Sequence, residues 1–577
     1  MNKPADSWSF RNYRVKMLLI SAVFLISGCA PENNGMENTK ETEEKADPAE
    51  GNDNSAEDDK LEETEEENVT NNDEQKAEKL TYGVSAGHPE AVEAGMEVLE
   101  DGGTAVDAAI AAAFAVSVVE PFASGIGGGG AALVHEQGKS PQAYDYREVV
   151  PEEGIPDSDI GIPGFTAGMA ELHDDYGKVS WESILEPAVS SAEASEVSEL
   201  LAQQLESGQS RLPLDELSHF YPEGNPLNAG DTLEQEELVE TLRTLQEDGP
   251  EAFYEGETGD ILSADIEGVD QESLDSYEVG RHEPVTGEAF GYEVIGAAPP
   301  LPGMSVIQML QIMEEQGMGE NDRTSTAFVH TTSMAWRLAF QFLETAAGDP
   351  NFFDVPVEDI TDPARNAVLA EEIPEDSLLV VTENEPYGGI DPNTTHINVV
   401  DSEGTIVSMT NTLTNFWGSG EYTSGYFLNN QMARFSIGRG ENNEPEPGRR
   451  SITWSSPMIV ADEEGPVLGI GSPGGERIPI MLTQVLTDWA AGDAEMGEAV
   501  EAPRFHIDGS DLVMEEMPDE EQQEAILSIG YGEIREQPTP LYFGSIQMLG
   551  IDREEETVTG AVDTRRESTW RTENIEE

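Results

Sequence analysis

A sharp change of composition at Lys79 most limits what this chain can fold into. Residues 31–79 are rich in Glu, Asp, Asn and Lys, and they contain almost no aromatic or branched apolar side chains. Such a segment cannot bury enough surface to offset the conformational entropy lost on ordering. We therefore expect residues 29–79 to form an extended, self-repelling acidic spacer, and residues 80–577 to form the folded body.

The charge of the chain is strongly one-sided, with 117 Asp and Glu against 29 Lys and Arg and a formal net charge of -88. A field of this sign repels nucleic acid, so nucleic-acid binding is excluded as a function. Repulsion within the molecule destabilises the compact state unless counterions screen it. The composition therefore predicts adaptation to a salty, halophilic habitat, and it carries no inference about catalysis.

The first residues have the pattern of an export signal. A basic stretch from Lys3 to Lys16 precedes the apolar segment Met17 to Ile26, which is too short to span a bilayer. Residues 26–29 resemble the lipobox of bacterial lipoproteins and end at Cys29, the single cysteine. We predict a signal peptide over residues 1–28. The secreted protein would then be anchored to the outer face of the cell membrane by lipid on Cys29. An ordinary cleaved signal with a chance cysteine is the alternative.

Metal and disulfide chemistry have little support in the sequence. With one cysteine, no disulfide can form within the chain. The eight histidines are scattered from His88 to His506, without an H-E-x-x-H motif or a close pair. We therefore predict neither a zinc site nor any other cofactor.

The body from Lys79 onward interleaves helices and strands, and hairpins dominate its C-terminal third. Helix and loop are expected from the glycine turn near residue 130 to about residue 380, apart from one strand directly after that turn. This pattern favours an α+β fold with antiparallel sheets over a doubly wound fold. The predicted elements are a strand at 80–85, helices at 89–100 and 105–120, a strand at 131–135, strands within 395–475 and a helix at 477–490.

Gly125 to Gly130 satisfies the pattern G-x-G-x-x-G. A dinucleotide site needs a strand before the glycines and a helix after them, whereas this segment has the reverse order. We therefore interpret these glycines as residues that let two backbones approach closely.

Gly83 to Gly87 satisfies G-x-S-x-G, with Ser85 at its centre. A strand-turn-helix order is plausible here, so a serine hydrolase is an alternative enzyme class. It would have to recruit a histidine such as His506 and an acid, and none of these stands in an informative context.

The hairpin that follows Asn393 carries a more specific pattern. Residues 396–400 are predicted as a strand, 401–404 as a turn, and 405–412 as the returning strand. Folding this hairpin about residues 402–403 brings Thr394 opposite residues 411–412. The hydroxyl groups of Thr394 and Thr412 would then be neighbours.

An N-terminal threonine would explain this arrangement. A threonine hydroxyl becomes a good nucleophile only when a base removes its proton, and the residue's own α-amine can be that base. The amine exists only if the Asn393–Thr394 bond is broken, so the chain would have to cleave itself there. A threonine-rich hairpin that simply fills strand positions is the alternative.

A third element favours catalysis over that alternative. The predicted strand 467–471 leads into Ser472-Pro473-Gly474-Gly475 and then into a helix. Adjacent glycine amides at a helix N-terminus can stabilise an oxyanion, although a plain glycine turn has the same composition.

These segments together resemble the γ-glutamyltranspeptidase family of N-terminal nucleophile hydrolases. The resemblance implies an αββα sandwich, made as one precursor and autocleaved into subunits 80–393 and 394–577 that form a heterodimer. It also implies Thr394 as nucleophile, Thr412 as its hydroxyl partner, and Gly474 and Gly475 as the oxyanion hole. The matching stretches are Thr394 to His396, Leu428 to Gln431, Gly471 to Gly475, Ser124 to Gly130 and Asp145 to Glu148.

The resemblance also implies a set of substrate-binding residues. Arg147 matches the arginine that holds the substrate α-carboxylate. Further residues expected to line the substrate site are Thr395, Asn430, Gln431 and Thr453. Glutathione-cleaving members have an aspartate for the free α-ammonium where this chain has Arg434. An arginine cannot hold an ammonium, but it can hold the carboxylate of a glutamate whose nitrogen is already acylated.

Several stretches are especially similar to the capsule-anchoring branch of this family, which acts on poly-γ-glutamate. In that branch Arg477 and Arg566 would hold carboxylates of the polymer, and cell-wall peptidoglycan is a possible acceptor. The alternatives are a glutathione hydrolase acting on small γ-glutamyl compounds, and a non-enzymatic acidic lipoprotein. Arg449, Arg450, Arg565 and Arg566 would, in a further alternative, only offset the acidic surface. The similar stretches are Tyr82 to Ala86, Thr410 to Leu413, and Gly560 to Arg566 with Trp570.

Overall fold

The structure is a computed structural model that describes residues 80–577 except 381–391, 438–439, 492–493, 574 and 577. The predicted signal peptide, Cys29 and the acidic spacer lie outside the described residues, as does most of the segment before Asn393. None of the described helices combines the length and apolar character needed to cross a membrane.

An antiparallel sheet of eight strands, the first sheet, forms one half of the molecule. Its centre is the long hairpin predicted from the sequence, flanked by the strand that starts the body and by the strand after the glycine turn. In spatial order its strands are Ile575–Glu576, Thr569–Thr572, Gly83–Ala86, Pro392–Val400, Ile406–Asn415, Gly129–His135, Gln142–Asp145 and Gly280–His282.

A second sheet of six strands stacks against the first one. Its strands are also antiparallel, and it carries the glycine turn that precedes the helix predicted at 477–490. In spatial order they are Thr557–Ala561, Gln547–Asp552, Gly465–Gly471, Met458–Asp462, Tyr292–Gly296 and Val285–Ala289. Three smaller sheets hold Ser195–Glu196 with Thr232–Leu233, Tyr422–Thr423 with Tyr426–Phe427, and Phe505–Asp508 with Asp511–Met514 and Ile534–Glu536.

Helices cover the outer face of each sheet, and an apolar layer fills the space between the sheets. The predicted αββα sandwich is therefore confirmed. The longer helices over the first sheet are Pro89–Glu100, Ala105–Val119, Phe165–Tyr176, Trp181–Glu193 and Glu236–Asp248. Those over the second sheet include Gly303–Glu315, Thr326–Ala346, Pro363–Glu371, Ile478–Ala491 and Glu520–Ile529.

The helix Ala105–Val119 illustrates how the sequence builds this architecture. Thr104 and Asp107 form a capping box, in which Thr104 N donates to Asp107 Oδ2 at 2.9 Å and Asp107 N donates to Thr104 Oγ1 at 3.1 Å. The pair satisfies backbone donors that a helix start otherwise leaves free. Every residue of the helix is buried, as its alanine-rich composition predicts. The helix thus lies between the first sheet and a second row of helices.

One expectation about the fold was wrong. From residue 136 to residue 380 the described residues contain six strands where only helix and loop were expected: Gln142–Asp145, Ser195–Glu196, Thr232–Leu233, Gly280–His282, Val285–Ala289 and Tyr292–Gly296. Each of them is five residues or shorter, so its alternation is weak in the sequence. Val285–Ala289 and Tyr292–Gly296 lie at one edge of the second sheet, and Gly280–His282 forms an edge of the first sheet.

Both predicted subunits contribute strands to both sheets. The range 80–393 supplies two strands at one edge of the second sheet and four strands of the first, while the range 394–577 supplies the remainder, apart from the first two residues of the strand Pro392–Val400. Because each sheet is continuous across this division, a cut before Thr394 would leave two chains that share one core. The division itself stays a prediction.

Candidate active site

The central hairpin of the first sheet places Thr394 opposite Thr412. Asn411 pairs with Thr395, and after a bulge Thr414 pairs with Asn393. The bulge includes Thr414 at a φ of 83°, a conformation that costs a non-glycine residue energy and is often found at functional sites. The hairpin register predicted from the sequence is therefore confirmed. The sequence did not indicate the bulge.

The hydroxyl groups of Thr394 and Thr412 lie 3.3 Å apart, and both residues are buried. Thr412 Oγ1 donates its single hydrogen to the carbonyl oxygen of Asn393 at 2.8 Å, and it accepts from Thr414 N at 2.8 Å. Because the hydroxyl hydrogen of Thr412 is already donated to Asn393, the hydrogen bond between the two threonines must run from Thr394 Oγ1 as donor to Thr412 Oγ1 as acceptor. The hydroxyl of Thr394 thus lies beside the peptide bond that would be cut, and a donor already polarises that carbonyl.

The nearest histidine is not a base for this site. His396 is fully buried, and burial lowers its pKa to about 3, so the ring is neutral. Its two ring nitrogens contact Thr410 Oγ1 at 2.8 Å and Asn398 Oδ1 at 3.1 Å. A Cβ on Gly471 would lie 2.2 Å from the ring, so the ring packs tightly against the second sheet. His396 therefore packs between the two sheets and does not act as the base for Thr394.

The glycine turn of the second sheet approaches this strand. The strand Gly465–Gly471 ends before the turn, and the 3₁₀ segment Gly475–Arg477 contacts the strand that contains Thr394. Gly474 has a φ of 140° and Gly475 a φ of 61°, which only glycine adopts easily. The helix Ile478–Ala491 follows directly, so both glycine amides stand at a helix N-terminus. This is the placement expected of an oxyanion hole.

A chain of polar contacts connects the threonines to Arg147. Thr414 Oγ1 donates to Gln431 Oε1, and Gln431 Nε2 donates to Ser451 Oγ at 3.0 Å. Arg147 Nη1 donates to the carbonyl oxygen of Ser451 at 2.8 Å. The predicted residues Arg147 and Gln431 therefore belong to the same network as Thr394.

Arg147 is more constrained than the sequence indicates. Its Nε and Nη2 donate to the two oxygens of Asp145 at 2.8 and 2.6 Å, and the side chain has no exposed surface. Burial alone would raise the pKa of Asp145, but the charge of Arg147 outweighs this effect and holds the pKa below its ordinary value. A guanidinium has five N–H donors, and the contacts with Asp145 and Ser451 use three of them. A role in binding a substrate carboxylate stays a prediction.

Arg434 lies beside the glycine turn. Burial lowers its pKa to about 10, against the opposing charge of Glu476. Burial also raises the pKa of Glu476, while Arg477 and Arg434 oppose that shift. Arg434 and Arg477 thus both lie near Glu476, the residue that follows Gly475. In the described part of the chain, Arg434 Nε has no hydrogen-bond partner.

Arg477 and Arg566 stand close enough to repel each other. Burial lowers the pKa of Arg566 to about 10, and Arg477 adds to the shift. Arg477 Nε donates to the carbonyl oxygen of Tyr542 at 2.6 Å, and its guanidinium lies 4.1 Å from the centre of the Tyr542 ring. Arg566 Nη1 donates to Asn393 Oδ1 at 2.8 Å. Arg566 therefore contacts the residue before Thr394.

Asn430, Thr395 and Thr453 have less defined surroundings. Asn430 Oδ1 accepts from Asn415 N at 3.2 Å, which ties the segment after the hairpin to its end. Thr395 and Thr453 are buried. Trp454, next to Thr453, stacks on Phe340 with ring centres 5.7 Å apart. The substrate roles of these three residues stay predictions.

The alternative that Arg449, Arg450, Arg565 and Arg566 only offset an acidic surface does not fit their contacts. Arg449 and Arg450 are buried, and they donate to backbone carbonyl oxygens of Asn442 at 2.7 Å and Glu278 at 2.6 Å respectively. Arg565 pairs with Glu515 at 2.7 Å. These three arginines hold loops together, because a guanidinium can satisfy several buried carbonyl oxygens at once.

Two buried acids near the site were missed from the sequence. Glu148 has no exposed surface, burial raises its pKa to about 8, and neither carboxyl oxygen has a partner among the described residues. It lies against Gly129, which pairs with Thr412. Glu120 ends the apolar helix Ala105–Val119 and is equally enclosed. The sequence did contain a signal for each of them. Glu148 directly follows Arg147, and Glu120 directly follows an apolar helix of fifteen buried residues.

The competing motifs do not form sites. A Cβ on Gly128 or Gly130 would lie 2.3 or 2.4 Å from a backbone carbonyl oxygen, so these glycines allow close packing as predicted. Ser85 lies inside the strand Gly83–Ala86, buried between its paired strands, and not at the turn where a nucleophilic serine would stand. Within the residues that the structure describes, no three acidic, histidine or cysteine side chains are grouped to hold a metal ion.

The sandwich, with a threonine near the start of a central strand and a glycine turn packed against that strand, has the architecture of an N-terminal nucleophile hydrolase. Residues 91–571 match the family described as Gamma-glutamyltranspeptidase. The chain therefore belongs to the γ-glutamyltranspeptidase family and is an enzyme of the γ-glutamyltransferase and glutathione hydrolase type.

Individual relatives agree with this assignment. The chain is 37% identical to the capsule biosynthesis protein CapD proenzyme of Bacillus anthracis, over 86% of this chain and 91% of that protein. It is 32% identical to the glutathione hydrolase proenzyme of Escherichia coli (strain K12), over 72% of this chain and 79% of that protein. The cephalosporin acylase from Bacillus halodurans has the same fold, with a TM-score of 0.78 at 24% identity, over 85% of this chain and 96% of that chain.

Proposed function

We propose that this protein cleaves its own chain between Asn393 and Thr394, and then uses Thr394 to transfer γ-glutamyl groups from poly-γ-glutamate to water or an amine. The observation that carries the proposal is the contact between the hydroxyls of Thr394 and Thr412 at 3.3 Å, with Thr412 donating to the Asn393 carbonyl oxygen. The names of the relatives, which are proenzymes, support the self-cleavage.

Self-cleavage begins with attack of Thr394 Oγ on the carbonyl carbon of Asn393. The C–N bond then breaks, the proton from the hydroxyl ends on the threonine nitrogen, and an ester joins Asn393 to Thr394 Oγ. Water hydrolyses the ester into an Asn393 carboxylate, a free hydroxyl and a free α-amine on Thr394. The bond from Thr412 to the Asn393 carbonyl oxygen stabilises the negative charge that develops there.

Transfer uses the same hydroxyl with a different base. The α-amine of Thr394 takes the hydroxyl proton while the oxygen attacks the γ-carbonyl of a glutamyl residue. The amides of Gly474 and Gly475 face the resulting oxyanion, and the proton passes to the leaving nitrogen. Water or an acceptor amine then attacks the γ-glutamyl ester and restores Thr394.

Poly-γ-glutamate is the proposed donor because the site is cationic where a free glutamyl residue would present an ammonium. Arg434 and Arg477 flank Glu476, and Arg566 stands close to Arg477. Planar guanidinium groups suit the carboxylates that line such a polymer. The similarity to a capsule biosynthesis proenzyme supports the same choice. The second candidate is hydrolysis of glutathione, which the glutathione hydrolase relatives favour.

The proposed location follows from the segment before the folded body. A lipid on Cys29 would tether the enzyme outside the cell, and the spacer 29–79 would let the body reach cell-wall polymers. An amine of peptidoglycan is the proposed acceptor in that place.

The self-cleavage is tested by the intact mass of the purified full chain in high salt. We expect two fragments that meet at Asn393 and Thr394 in the unaltered protein, and one uncut chain in Thr394→Ala. An uncut, folded wild-type chain would overturn the proposal, because Thr394 would then have no α-amine.

The substrate is tested with the variant Arg434→Asp. We expect poly-γ-glutamate to be shortened at least 10-fold more slowly and glutathione to be cleaved faster. The reason is that the variant replaces a cation that binds a carboxylate with an anion that binds an ammonium group. Arg535→Asp, an exchange at an exposed arginine paired with Asp508, is the matched control for net charge. Fast glutathione cleavage without polymer shortening in the wild type would favour the second candidate.

A further inference from the structure

The strand pairing beside the proposed cut is interrupted. Asn411 pairs with Thr395. The next pair joins Thr414 to Asn393, so two residues of the returning strand stand opposite Thr394 alone. A bulge of this kind leaves the extra residue unpaired and bends its strand. Regular strand pairing therefore does not by itself define the geometry at the Asn393–Thr394 bond, and side-chain contacts gain importance there.

Asn393 is held by two side chains, one at its carbonyl group and one at its side-chain amide. Thr412 Oγ1 donates to the carbonyl oxygen at 2.8 Å, and Arg566 Nη1 donates to the side-chain oxygen Oδ1 at 2.8 Å. Asn393 has no exposed surface, and among the described residues its Nδ2 has no hydrogen-bond partner. The bond from Arg566 is therefore the polar contact that fixes the Asn393 side chain.

The fold brings Arg566 to this place from a distant part of the chain. The strand Gly83–Ala86 pairs with Thr569–Thr572 on one side and with Pro392–Val400 on the other. Both partners run antiparallel to it, so the chain just before the first partner and the start of the second partner lie at the same end of the sheet. Arg566 and Asn393 occupy these two positions, and the guanidinium spans the distance between them.

The turn that carries Arg566 is held in place by its neighbours. Asp563 Oδ1 accepts from Arg565 N at 3.0 Å, and the carbonyl oxygen of Asp563 accepts from Ser568 Oγ at 2.8 Å. Arg565 also forms an ion pair with Glu515 at 2.7 Å. The chain on both sides of Arg566 is thus fixed, which limits the positions that its guanidinium can take.

We propose that Arg566 is a positioning residue for self-cleavage: through its hydrogen bond to Asn393 Oδ1, it fixes the residue whose carbonyl carbon Thr394 attacks. Arg566 does not contact the two atoms that react, and it acts through the side chain of Asn393. This inference rests on the proposed cut between Asn393 and Thr394. It gives Arg566 a task before the cut, in addition to the carboxylate binding that the proposed function assigns to it afterwards.

Self-cleavage is sensitive to small displacements, because Thr394 Oγ1 has to lie close to the Asn393 carbonyl carbon and in line with it. A displacement of about 1 Å in such an arrangement can slow a reaction about 100-fold. Without Arg566, the buried oxygen of the Asn393 side chain would also lose its partner, which favours other conformations of this residue. Arg566 thus stabilises the conformation in which Thr412 donates to the carbonyl oxygen.

The experiment is a double-mutant cycle on the rate of self-cleavage. Full chains are made by cell-free synthesis in high salt at pH 8, and the cut fraction is followed in time by intact mass. We expect Arg566→Gln and Asn393→Leu each to cleave about 10-fold to 100-fold more slowly than wild type, the range for a hydrogen bond to a charged group. The double variant should be no slower than the slower single variant, because both changes remove the same hydrogen bond.

Conservative variants and a charge control accompany the cycle. Asn393→Asp keeps the acceptor oxygen and should cleave at a rate close to that of wild type. Arg566→Lys should recover part of the rate that is lost in Arg566→Gln. Arg571→Gln removes a positive charge that pairs with Glu93 and Glu100, and it should leave the rate unchanged.

The outcomes separate this inference from the proposed function. A wild-type chain that stays uncut contradicts the proposed function itself. An unchanged rate in Arg566→Gln overturns only the role of Arg566, and so do single effects that multiply in the double variant or an equal loss in Arg571→Gln. If thermal unfolding shows that Arg566→Gln does not fold, Arg566→Lys decides: slower cleavage at a normal unfolding midpoint supports the inference, and wild-type cleavage overturns it.

Discussion

The two glycine-rich turns of the molecule, Gly125–Gly130 and Ser472–Gly475, have similar composition and different tasks. In the first turn, added Cβ atoms at Gly127 and Gly128 would lie 2.2 and 2.3 Å from backbone carbonyl oxygens. In the second turn, a Cβ on Gly474 would mainly meet the flexible end of Met481, at 2.6 Å. What singles out the second turn is its backbone, with positive φ at Gly474 and Gly475 in front of a helix.

The difference teaches that glycine has to be interpreted with its neighbours along the chain. A helix followed by glycines and a strand indicates close packing of backbones, and the first turn has this order. A strand followed by glycines and a helix exposes amides at a helix N-terminus, and the second turn has that order. Three substitutions test this division between architecture and chemistry.

The largest effect is expected from Gly128→Ala. The new methyl would overlap the carbonyl oxygen of Thr412, which cannot move without separating two strands, so we expect destabilisation by about 3 kcal/mol or more. The measurement is the midpoint of thermal unfolding. Gly497→Ala, where the new methyl meets nothing within 4 Å, is the control and should be neutral. A normal midpoint for Gly128→Ala would remove the distinction between the turns.

Gly474→Ala should affect rate much more than folding. Its φ of 140° is costly for alanine, so the amides of the turn should shift from their positions, and kcat per cleaved molecule should fall about 100-fold to 1,000-fold. The assay is turnover of γ-glutamyl-p-nitroanilide, normalised to the cleaved fraction by mass. A wild-type kcat in a folded variant would show that the second turn is only structural.

Ser472→Ala should have the smallest effect of the three. Ser472 Oγ donates to the Pro473 carbonyl oxygen at 2.6 Å and accepts from Ser545 N at 3.2 Å, so it steadies the turn from outside the reacting groups. We expect kcat to fall a few-fold, with destabilisation of about 1 kcal/mol from the lost hydrogen bonds. A fall as large as that of Gly474→Ala would mean that the hydroxyl itself takes part in the reaction.

Local patterns along the chain were enough to predict the central hairpin and the helix after the second glycine turn. The turn at residues 401–404 sets the strand pairing, and that pairing brings Thr394 to Thr412. Composition alone also predicted the buried helix Ala105–Val119.

Contacts between distant segments could not be predicted in this way. The bond from Arg566 to Asn393 joins residues 173 positions apart, and nothing in either segment indicates the other. The same holds for Glu120, whose carboxylate lies near Thr395, a residue from a distant segment of the chain. Arg147 was predicted from the family resemblance to bind a substrate carboxylate, but its ion pair with Asp145 depends on how the strand Gln142–Asp145 ends.

The burial of Asn393 bears on when the enzyme becomes active in the cell. Its side chain has no exposed surface, so another protease would have little access to the peptide bond that follows Asn393. The groups beside it come from Thr412 and Arg566, and the latter is translated long after the bond itself. Under the proposed mechanism, a truncated or misfolded chain would stay in one piece and inert. Maturation would then serve as a checkpoint, so that a reactive threonine is released only in a molecule whose central hairpin has folded and brought Thr412 to the Asn393 carbonyl.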